Sequence, residues 1–398
     1  MRIAGLLLGA TALLACNDGA RERAAAAQAT LEPEVLARML RASPLPPLPP
    51  SPTNPVADDP RAADLGRRLF YDPRASANGE LSCASCHDPE LDWTDGRDLA
   101  QGLGQLEIHT PSIWNAAYNR WQFWDGRADS LWAQAAGPLE HPLEMGATRA
   151  GLVAVIADDP DLNRSYTELF GPLPAPISTA GPQLDRAFVN VLQALASFER
   201  RIITTETAFD RFVRGLRLGD AEDLAALNAA ERAGARLFFG SARCHLCHHG
   251  PLFTDFEFHD IRLPRPSASE LEPGRHRGIE LVLADPLNGS GEFSADRGPT
   301  ANVNLLYLKQ TEHRRGEFKT PGLRNVASTA PYMHRGQFQS LGEVLDHYST
   351  LSDAAPPSHE DAERLLEPLN LSEVEKEQIE AFLKSLSGSP SLHTFGPP

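Results

Sequence analysis

The sequence predicts a mainly α-helical protein with two similar domains, and three observations support this fold class. The five-residue pattern Cys-x-x-Cys-His occurs twice, at residues 83–87 and 244–248. Each copy follows a segment of helical character, Gly66-Arg67-Arg68-Leu69-Phe70 before the first and Gly234-Ala235-Arg236-Leu237-Phe238 before the second. Stretches with the alternating pattern of β-strands are few. Because the motif and its lead-in helix are both duplicated, the chain contains an internal repeat.

The N-terminus is typical of an export signal that covers residues 1–16. Arg2 precedes an apolar run from Ile3 to Ala15, which is too short to span a bilayer as a mature helix. The run ends in Leu-Leu-Ala-Cys, which resembles the bacterial lipobox, whose cysteine is lipid-modified. We therefore expect a periplasmic protein that is anchored to a membrane through Cys16. An ordinary signal peptide, in which Cys16 is incidental, is the alternative.

Residues 17–55 are rich in alanine and proline and are predicted to form a tether. Residues 44–52 read Pro-Leu-Pro-Pro-Leu-Pro-Pro-Ser-Pro, a composition that disfavours both helix and sheet. The pattern indicates an extended spacer, with plain disorder as the alternative.

The remaining chain is divided by the repeat into an N-terminal domain at residues 56–210 and a C-terminal domain at residues 211–390. The last strong helix begins at Ser372, which forms a capping box with Glu375, and it ends before Gly388. Residues 264–301, rich in glycine, proline and charge, are interpreted as a surface excursion. The formal net charge of -16 argues against binding to nucleic acid.

The two cysteine motifs favour covalently attached haem, and they contain four of the five cysteines in the chain. The two thiols of such a motif add to the two vinyl groups on one edge of a porphyrin, and the adjacent histidine then lies below the iron. A four-cysteine zinc site is an alternative, but it would leave both histidines unexplained. A redox dithiol is another. The predicted haem-binding residues are Cys83, Cys86, His87, Cys244, Cys247 and His248.

Each domain is therefore expected to be cytochrome c-like, with one covalently attached c-type haem. Five longer stretches are also distinctive: Gln122-Phe123-Trp124-Asp125-Gly126-Arg127-Ala128, Gln134-Ala135-Ala136-Gly137-Pro138, Pro142-Leu143-Glu144-Met145, Lys319-Thr320-Pro321-Gly322-Leu323-Arg324-Asn325 and Pro331-Tyr332-Met333-His334-Arg335-Gly336. These stretches resemble those of a known family, the bacterial di-haem cytochrome c peroxidases. That family includes the MauG-type members, which oxidise tryptophan residues of a protein substrate.

The resemblance implies a reaction and roles for three residues. Hydrogen peroxide would be reduced to water at the N-terminal haem, with electrons relayed from the C-terminal haem. Glu144 matches the acid-base glutamate of the family, and Gln134 matches its distal glutamine. Trp124 matches a tryptophan between the haems. Without the resemblance, Glu144 would be read as a surface glutamate and Trp124 as a core aromatic.

The distal ligand of the second haem separates the branches of the family. Composition alone would favour Met333 or His334. The resemblance instead places the ligand seventeen residues after Pro331, at Tyr348, where MauG-type members also carry tyrosine. A phenolate stabilises ferric and higher-valent iron relative to a thioether. The adjacent His347 is the remaining alternative.

The loop at residues 98–107 contains no histidine, whereas many family peroxidases use a histidine there to block the first iron. We therefore expect an open first iron, with His109 as the nearby residue that could block it. The resemblance also implies a calcium ion held by the backbone carbonyls of Thr329 and Pro331. His109 stands where the family has an asparagine ligand, which puts this calcium in doubt because calcium prefers oxygen.

Three functions thus follow from the sequence. The first is peroxide reduction with a small cytochrome or cupredoxin as electron donor, and the negative charge favours a basic donor. The second is MauG-like oxidation of tryptophan or tyrosine in a partner protein. The third is electron transfer without catalysis. Family members often form homodimers, and the sequence does not decide whether this chain does.

Overall fold

The computed structural model describes residues 7–265, 271–298, 303–357, 366–388 and 395–398, with side chains from residue 18 onward. Over these ranges the chain is mainly helical, which confirms the predicted fold class at that level. The helices are α1 (Leu7–Gln28), α2 (Pro33–Arg41), α3 (Pro60–Phe70), α4 (Leu131–Glu140), α5 (Arg149–Asp158), α6 (Pro160–Phe170), α7 (Pro182–Glu199), α8 (Ala208–Leu218), α9 (Ala221–Leu224), α10 (Ala229–Phe239), α11 (Gly274–Ala284), α12 (Val303–Leu306), α13 (Leu341–Thr350) and α14 (Glu373–Lys384). Two short strands, β1 (Phe258–His259) and β2 (Phe318–Lys319), pair antiparallel.

The buried apolar side chains form two main clusters, one in each half of the chain. The first cluster is built chiefly from α3, α4, α5 and α7, and the second from α8, α10, α13 and α14. Helix α14 begins at the predicted capping box, where the Ser372 and Glu375 side chains bond each other's backbone N–H groups. Two apolar cores are what a duplicated unit should produce, since each copy must bury its own helical faces.

The repeated glycine of the lead-in helix has the same purpose in both halves. Helix α3 crosses α7 at Gly66, where an added Cβ would overlap the carbonyl group of Ala194. Helix α10 crosses α14 at Gly234, where an added Cβ would overlap the carbonyl group of Gln378. Any side chain would force these helix pairs apart, so the crossings require glycine. Each Cys-x-x-Cys-His motif follows directly after such a crossing.

Residues 17–55 do not form the predicted tether, because their first half packs on the second core. Val35, Met39 and Ala42 of the α2 region are buried there, and Met39 is 0 % exposed. Arg38 donates a hydrogen bond of 2.7 Å to the carbonyl oxygen of Phe239. Composition suggested a spacer, but these apolar side chains have the helical spacing needed to cover one face of α10.

The proline-rich segment is extended, as its composition predicts, but it is held along its length. Tyr118 Oη donates 2.8 Å to the carbonyl oxygen of Pro46, and Arg200 Nη2 donates 3.0 Å to that of Pro49. Asn54 then donates 2.9 Å to the carbonyl oxygen of Gln193 in the first core. The segment therefore joins the second core to the first as a strap. No helix in the described part of the chain has the length and apolar character needed to cross a membrane.

Two further segments cross between the halves. The aromatic ring of Phe395 belongs to the first cluster, and Tyr71 Oη donates 2.6 Å to its carbonyl oxygen. The predicted surface excursion at residues 264–301 lies partly outside the described residues. Its described part is not a mere excursion, because α11 packs against Asp125 at Gly278, and Leu287 and Phe293 enter the first core.

Candidate functional site

A single continuous cavity runs between the two cores and is lined by both cysteine motifs. All of the haem-binding, catalytic and calcium-binding residues predicted from the sequence line it. They are Cys83, Cys86, His87, Trp124, Gln134, Glu144, Cys244, Cys247, His248, Thr329, Pro331 and Tyr348. The fold therefore brings together residues that lie up to 265 positions apart in the chain.

The first motif holds its histidine in a defined orientation. A short 3-10 helix, Cys83–Ser85, turns the chain so that His87 N–H donates 2.9 Å to the carbonyl oxygen of Cys83. The ring Nδ1–H of His87 donates to the carbonyl oxygen of Trp93 at 3.1 Å. Burial lowers the pKa of His87, so the ring is neutral. Nε2 then carries the lone pair that an iron ligand needs.

The second motif repeats this geometry. His248 N–H donates 2.9 Å to the carbonyl oxygen of Cys244, and its ring Nδ1–H donates 2.9 Å to that of Phe253. Burial also lowers the pKa of His248. Both imidazoles are thus fixed by a backbone carbonyl and leave Nε2 free. Such second-shell hydrogen bonds are usual for metal-ligating histidines.

The thiols of both motifs suit thioether attachment rather than zinc. Burial raises the pKa of Cys86 to about 11 and that of Cys244 to about 12, so both are neutral thiols. Among the described residues, the one group of three or more possible metal ligands is Cys247, Asp255 and His259. The four cysteines do not converge, which argues against the zinc alternative. Paired thiols and a neutral imidazole beside a largely apolar cavity fit a c-type haem.

Glu144 is positioned by the turn that follows α4. Ser130 caps that helix by accepting a hydrogen bond from Ala133 N–H, and α4 directs Gln134 into the cavity. Burial raises the pKa of the Glu144 carboxyl, and the nearby charges of His141 and Arg127 oppose this rise. His141 Nδ1 lies 3.6 Å from Glu144 Oε1. The carboxyl therefore keeps its proton to a higher pH than an ordinary glutamate does.

The loop at residues 98–107 is bound to the peptide of Glu144. Leu103 N–H donates 3.0 Å to the carbonyl oxygen of Glu144, and Gly104 N–H donates 2.9 Å to that of Leu143. Gly102 lies so close that an added Cβ would be 2.5 Å from the Leu143 carbonyl oxygen and 2.7 Å from Glu144 Cα. This loop therefore supports the backbone of Glu144.

Trp124 is fixed from both sides at the boundary between the halves. Its indole Nε1–H donates 3.0 Å to the carbonyl oxygen of His109, and its own carbonyl oxygen accepts 2.8 Å from the N–H of Lys319. Residues 109 and 319 come from the two different halves. The indole and the backbone of Trp124 are thus both held in place at the boundary between the halves.

The structure distinguishes Tyr348 from its neighbour His347. Tyr348 lines the cavity on α13, and burial raises the pKa of its phenol above the usual value, with the nearby Cys247 and Cys244 adding to this rise. The Nε2–H of His347 donates 3.0 Å to the carbonyl oxygen of Ile261, and this residue does not line the cavity. Met333 and His334 also line the cavity, but His334 Nε2 lies 3.0 Å from Glu272 Oε2. The geometry favours Tyr348 over His347.

His109 is buried, and its ring is engaged. Its Nδ1–H donates 2.7 Å to the carbonyl oxygen of Arg97, and its backbone N–H donates 2.8 Å to that of His334. Burial lowers the pKa of the imidazole. The side chain therefore supplies a neutral nitrogen, not an oxygen, to the region that holds Thr329 and Pro331. This donor does not suit calcium.

Two ionisable side chains in the cavity received no role from the sequence. Glu199, at the end of α7, is 7 % exposed, and burial raises the pKa of its carboxyl to about 8. Lys319, in β2, has an ammonium group whose pKa burial lowers to about 8. Lys319 lies within one of the stretches that carry the family resemblance, and this position was the signal by which the sequence could have identified it. Glu199 lies in an amphipathic helix with no pattern that distinguishes it.

Comparisons with known proteins give one consistent result. Residues 60–217 match the family model described as di-haem cytochrome c peroxidase. The chain is 33 % identical, over 97 % of its length and 93 % of the relative, to the methylamine utilization protein MauG of Methylorubrum extorquens. It is 31 % identical, over 84 % of both chains, to the cytochrome-c peroxidase IdrP1 of a Pseudomonas species. A MauG-like protein associated with microbial copper homeostasis superposes with a TM-score of 0.67 at 30 % identity, covering 89 % of this chain and 98 % of that one.

Proposed function

Because the chain belongs to the di-haem cytochrome c peroxidase family, we propose that it reduces hydrogen peroxide to water with two haem c groups. The observation that carries this proposal is the partly buried carboxyl of Glu144 in a cavity shared by both Cys-x-x-Cys-His motifs. Cys83, Cys86 and His87 would hold one haem. Cys244, Cys247 and His248 would hold the other. When bound, the haem iron would supply the electrons for the two-electron reduction of the O–O bond.

The residues around the first motif would handle the protons. Glu144 accepts a proton from the incoming peroxide and returns it to the oxygen that leaves as water. Its raised pKa makes the carboxylate a stronger base than that of an ordinary glutamate, which favours the first transfer. Gln134, ten residues before Glu144 and on α4, would donate hydrogen bonds that orient the peroxide. Loop 98–107 keeps the glutamate in place.

Trp124 would carry electrons between the two halves, from the second haem toward the first. An indole has a low ionisation potential, so it is a suitable stepping stone for electrons. The hydrogen bonds to His109 and from Lys319 hold it at one orientation, so the electron path is the same in every molecule.

MauG-like oxidation of a protein substrate is the second candidate function, and Tyr348 favours it. A phenolate ligand on the second haem would lower its potential and stabilise its oxidised form relative to methionine. Oxidising power could then be held long enough to be spent on tryptophan or tyrosine of a partner. Replacing Tyr348 with Met should raise the midpoint potential of the second haem and shift activity toward simple peroxide turnover. An unchanged midpoint potential of the second haem would show that Tyr348 is not its ligand.

The remaining assignments accompany these functions as proposals. The electron donor is a small, basic cytochrome or a cupredoxin, and the protein lies in the periplasm with a lipid on Cys16. The two haem domains correspond to residues 56–210 and 211–390. Calcium at Thr329 and Pro331 stays a prediction, which the nitrogen donor of His109 weakens. A homodimer also stays a prediction.

Electron paramagnetic resonance of the purified ferric protein, before and after stoichiometric hydrogen peroxide, tests the function. We expect one high-spin haem whose signal is lost on peroxide addition while peroxide is consumed. The same experiment is repeated after one-electron reduction, because a first iron that His109 blocks in the ferric state would react with peroxide only after that reduction. Two low-spin haems that are inert in both states would leave a di-haem electron carrier, which is the non-enzymatic alternative.

A further inference from the structure

Lys319 is a partly buried cation that lines the cavity, and no acidic partner for it is found among the described residues. No ion pair or hydrogen bond to its ammonium group is found among the described residues, and burial lowers the pKa of that group to about 8. Lysine is rarely enclosed in a protein unless it is paired, because an isolated ammonium loses its hydration. The free-energy cost indicates that something else neutralises this charge in the working protein.

The other lysine and arginine side chains that line the cavity already have acidic partners. Their nearest N–O distances lie between 2.7 and 3.7 Å. The pairs are Arg127 with Asp125, Arg243 with Glu367, Arg265 with Asp260 and Arg324 with Asp210. Lys319 is thus distinguished from its neighbours by lacking an acid, within the part of the chain that the structure describes.

The backbone fixes where this ammonium group can reach. Lys319 N–H donates 2.8 Å to the carbonyl oxygen of Trp124, and the residue pairs with Phe258 across the two-stranded sheet. The next residue is held as well, because Thr254 Oγ1 donates 2.7 Å to the carbonyl oxygen of Thr320. The side chain therefore starts from a rigid point beside Trp124, at the boundary between the halves, and lines the cavity from there.

We propose that Lys319 binds a carboxylate brought by the cofactor, namely a propionate of one of the two haems, beside Trp124. This inference rests on the proposed function, since it requires haem in the cavity. Each haem c carries two propionates, which would otherwise add unpaired negative charge to an enclosed site. A charge-assisted hydrogen bond between ammonium and carboxylate satisfies both groups at once.

A cation held at a propionate has a measurable effect on the haem. It disfavours the ferric state, which carries one more positive charge than the ferrous state, and so raises the midpoint potential. Removing the charge of Lys319 should lower the potential of the haem that it contacts. Its place beside Trp124 means that the same charge also adjusts the driving force for electron transfer across the boundary.

The test compares Lys319→Met, Lys319→Arg and a control, Lys309→Met, in the haem-loaded protein. Lys309 is an exposed lysine of the same chain. Spectroelectrochemical titration gives the two midpoint potentials, and the pyridine haemochrome assay gives the haem content. Neither readout depends on peroxide turnover, so failure of the peroxidase function would be seen separately.

We expect Lys319→Met to lower one midpoint potential, while Lys319→Arg and Lys309→Met stay close to the parent protein. Loss of haem in Lys319→Met with full loading in Lys319→Arg would support the same conclusion, because charge and not shape would then be required. Unchanged potentials in a fully loaded Lys319→Met protein would overturn the proposal. Failure of both Lys319 variants to load haem would also overturn it, since shape would then be the requirement.

Discussion

Glu144 is the residue whose ionisation should govern peroxide turnover. Burial raises the pKa of its carboxyl, and the carboxylate form is needed to accept the first proton. Turnover should therefore fall as the pH drops through the raised pKa, at a higher pH than an ordinary carboxyl would give. Glu144→Gln should lose this acid limb and turn over roughly 10²- to 10⁴-fold more slowly. Steady-state peroxide consumption between pH 4 and 8 measures both effects.

Glu107→Gln is the matched control, because Glu107 is exposed on the neighbouring loop. Its pH profile should follow that of the parent protein. A Glu144→Gln enzyme that keeps the parental rate and acid limb would show that another group moves the proton.

Glu199 should make stability depend on pH. Its carboxyl has a pKa of about 8 in the folded protein and about 4.5 as a free side chain, so it is neutral when folded and ionised when unfolded between these values. Ionisation therefore favours unfolding increasingly as the pH rises from about 4.5 to about 8. Glu199→Gln should remove this cost and stabilise the protein by roughly 2 to 4 kcal/mol at pH 8, with little change at pH 4.

Thermal unfolding of the haem-loaded proteins at the two pH values measures this difference. Glu168→Gln, at an exposed position of α6, should show no pH-dependent gain. A loss of stability in Glu199→Gln at both pH values would mean that the carboxylate has a partner in the holoprotein and is not isolated.

At the scale of elements, loop 98–107 should act on catalysis through the Glu144 peptide. A Cβ on Gly102 would lie 2.5 Å from the Leu143 carbonyl oxygen, so the loop or the glutamate backbone must shift. We expect Gly102→Ala to lower kcat at least tenfold, roughly, since small displacements of catalytic groups are costly. The haem content should not change.

Gly104→Ala provides the comparison on the same loop. Its Cβ would meet only the side chain of Leu143, at 2.8 Å, and that side chain is 46 % exposed and can move. The Gly104 variant should therefore keep most of the parental kcat. Equal losses in both variants would mean that the whole loop tolerates no change, and that Gly102 has no special role.

The elements also show what the sequence can predict and where it fails. The duplicated motif and lead-in helix correctly indicated a mainly helical chain. A sequence pattern that occurs twice can be recognised even when each copy alone is a weak signal. The prediction for residues 17–55 was wrong because composition describes a segment by itself. The carbonyl groups of Pro46 and Pro49 are bonded by Tyr118 and Arg200, and nothing in a proline-rich stretch encodes partners so far away.

The same reasoning explains the outcome for the site. The resemblance named Glu144, Gln134, Trp124 and Tyr348, and the fold brings all four to one cavity. Lys319 and Glu199 were missed because their importance lies in the lack of a side-chain partner among the residues that the structure describes. That property depends on every side chain around them, and it exists only after folding.

For the whole molecule, net charge should control the encounter with the electron donor. The formal net charge of -16 creates a long-range attraction for a basic donor, and ionic strength screens it. With a basic small cytochrome as reductant, kcat/KM should fall at least tenfold, roughly, between low and high salt. A neutral small-molecule reductant should give a nearly constant rate over the same range. A salt-independent rate with the basic cytochrome would exclude electrostatic steering.

The packing of residues 17–55 on the second core has a consequence for the order in which the protein matures. The second core contains Met39 near the beginning of the chain and Phe382 near its end, so it cannot close until almost all of the chain has been made. Contacts of such large sequence separation form late, because a long loop must close first. The core around the first motif consists mostly of residues 65–202, which emerge together. The N-terminal half can therefore form its pocket early, while the C-terminal half waits for both of its ends.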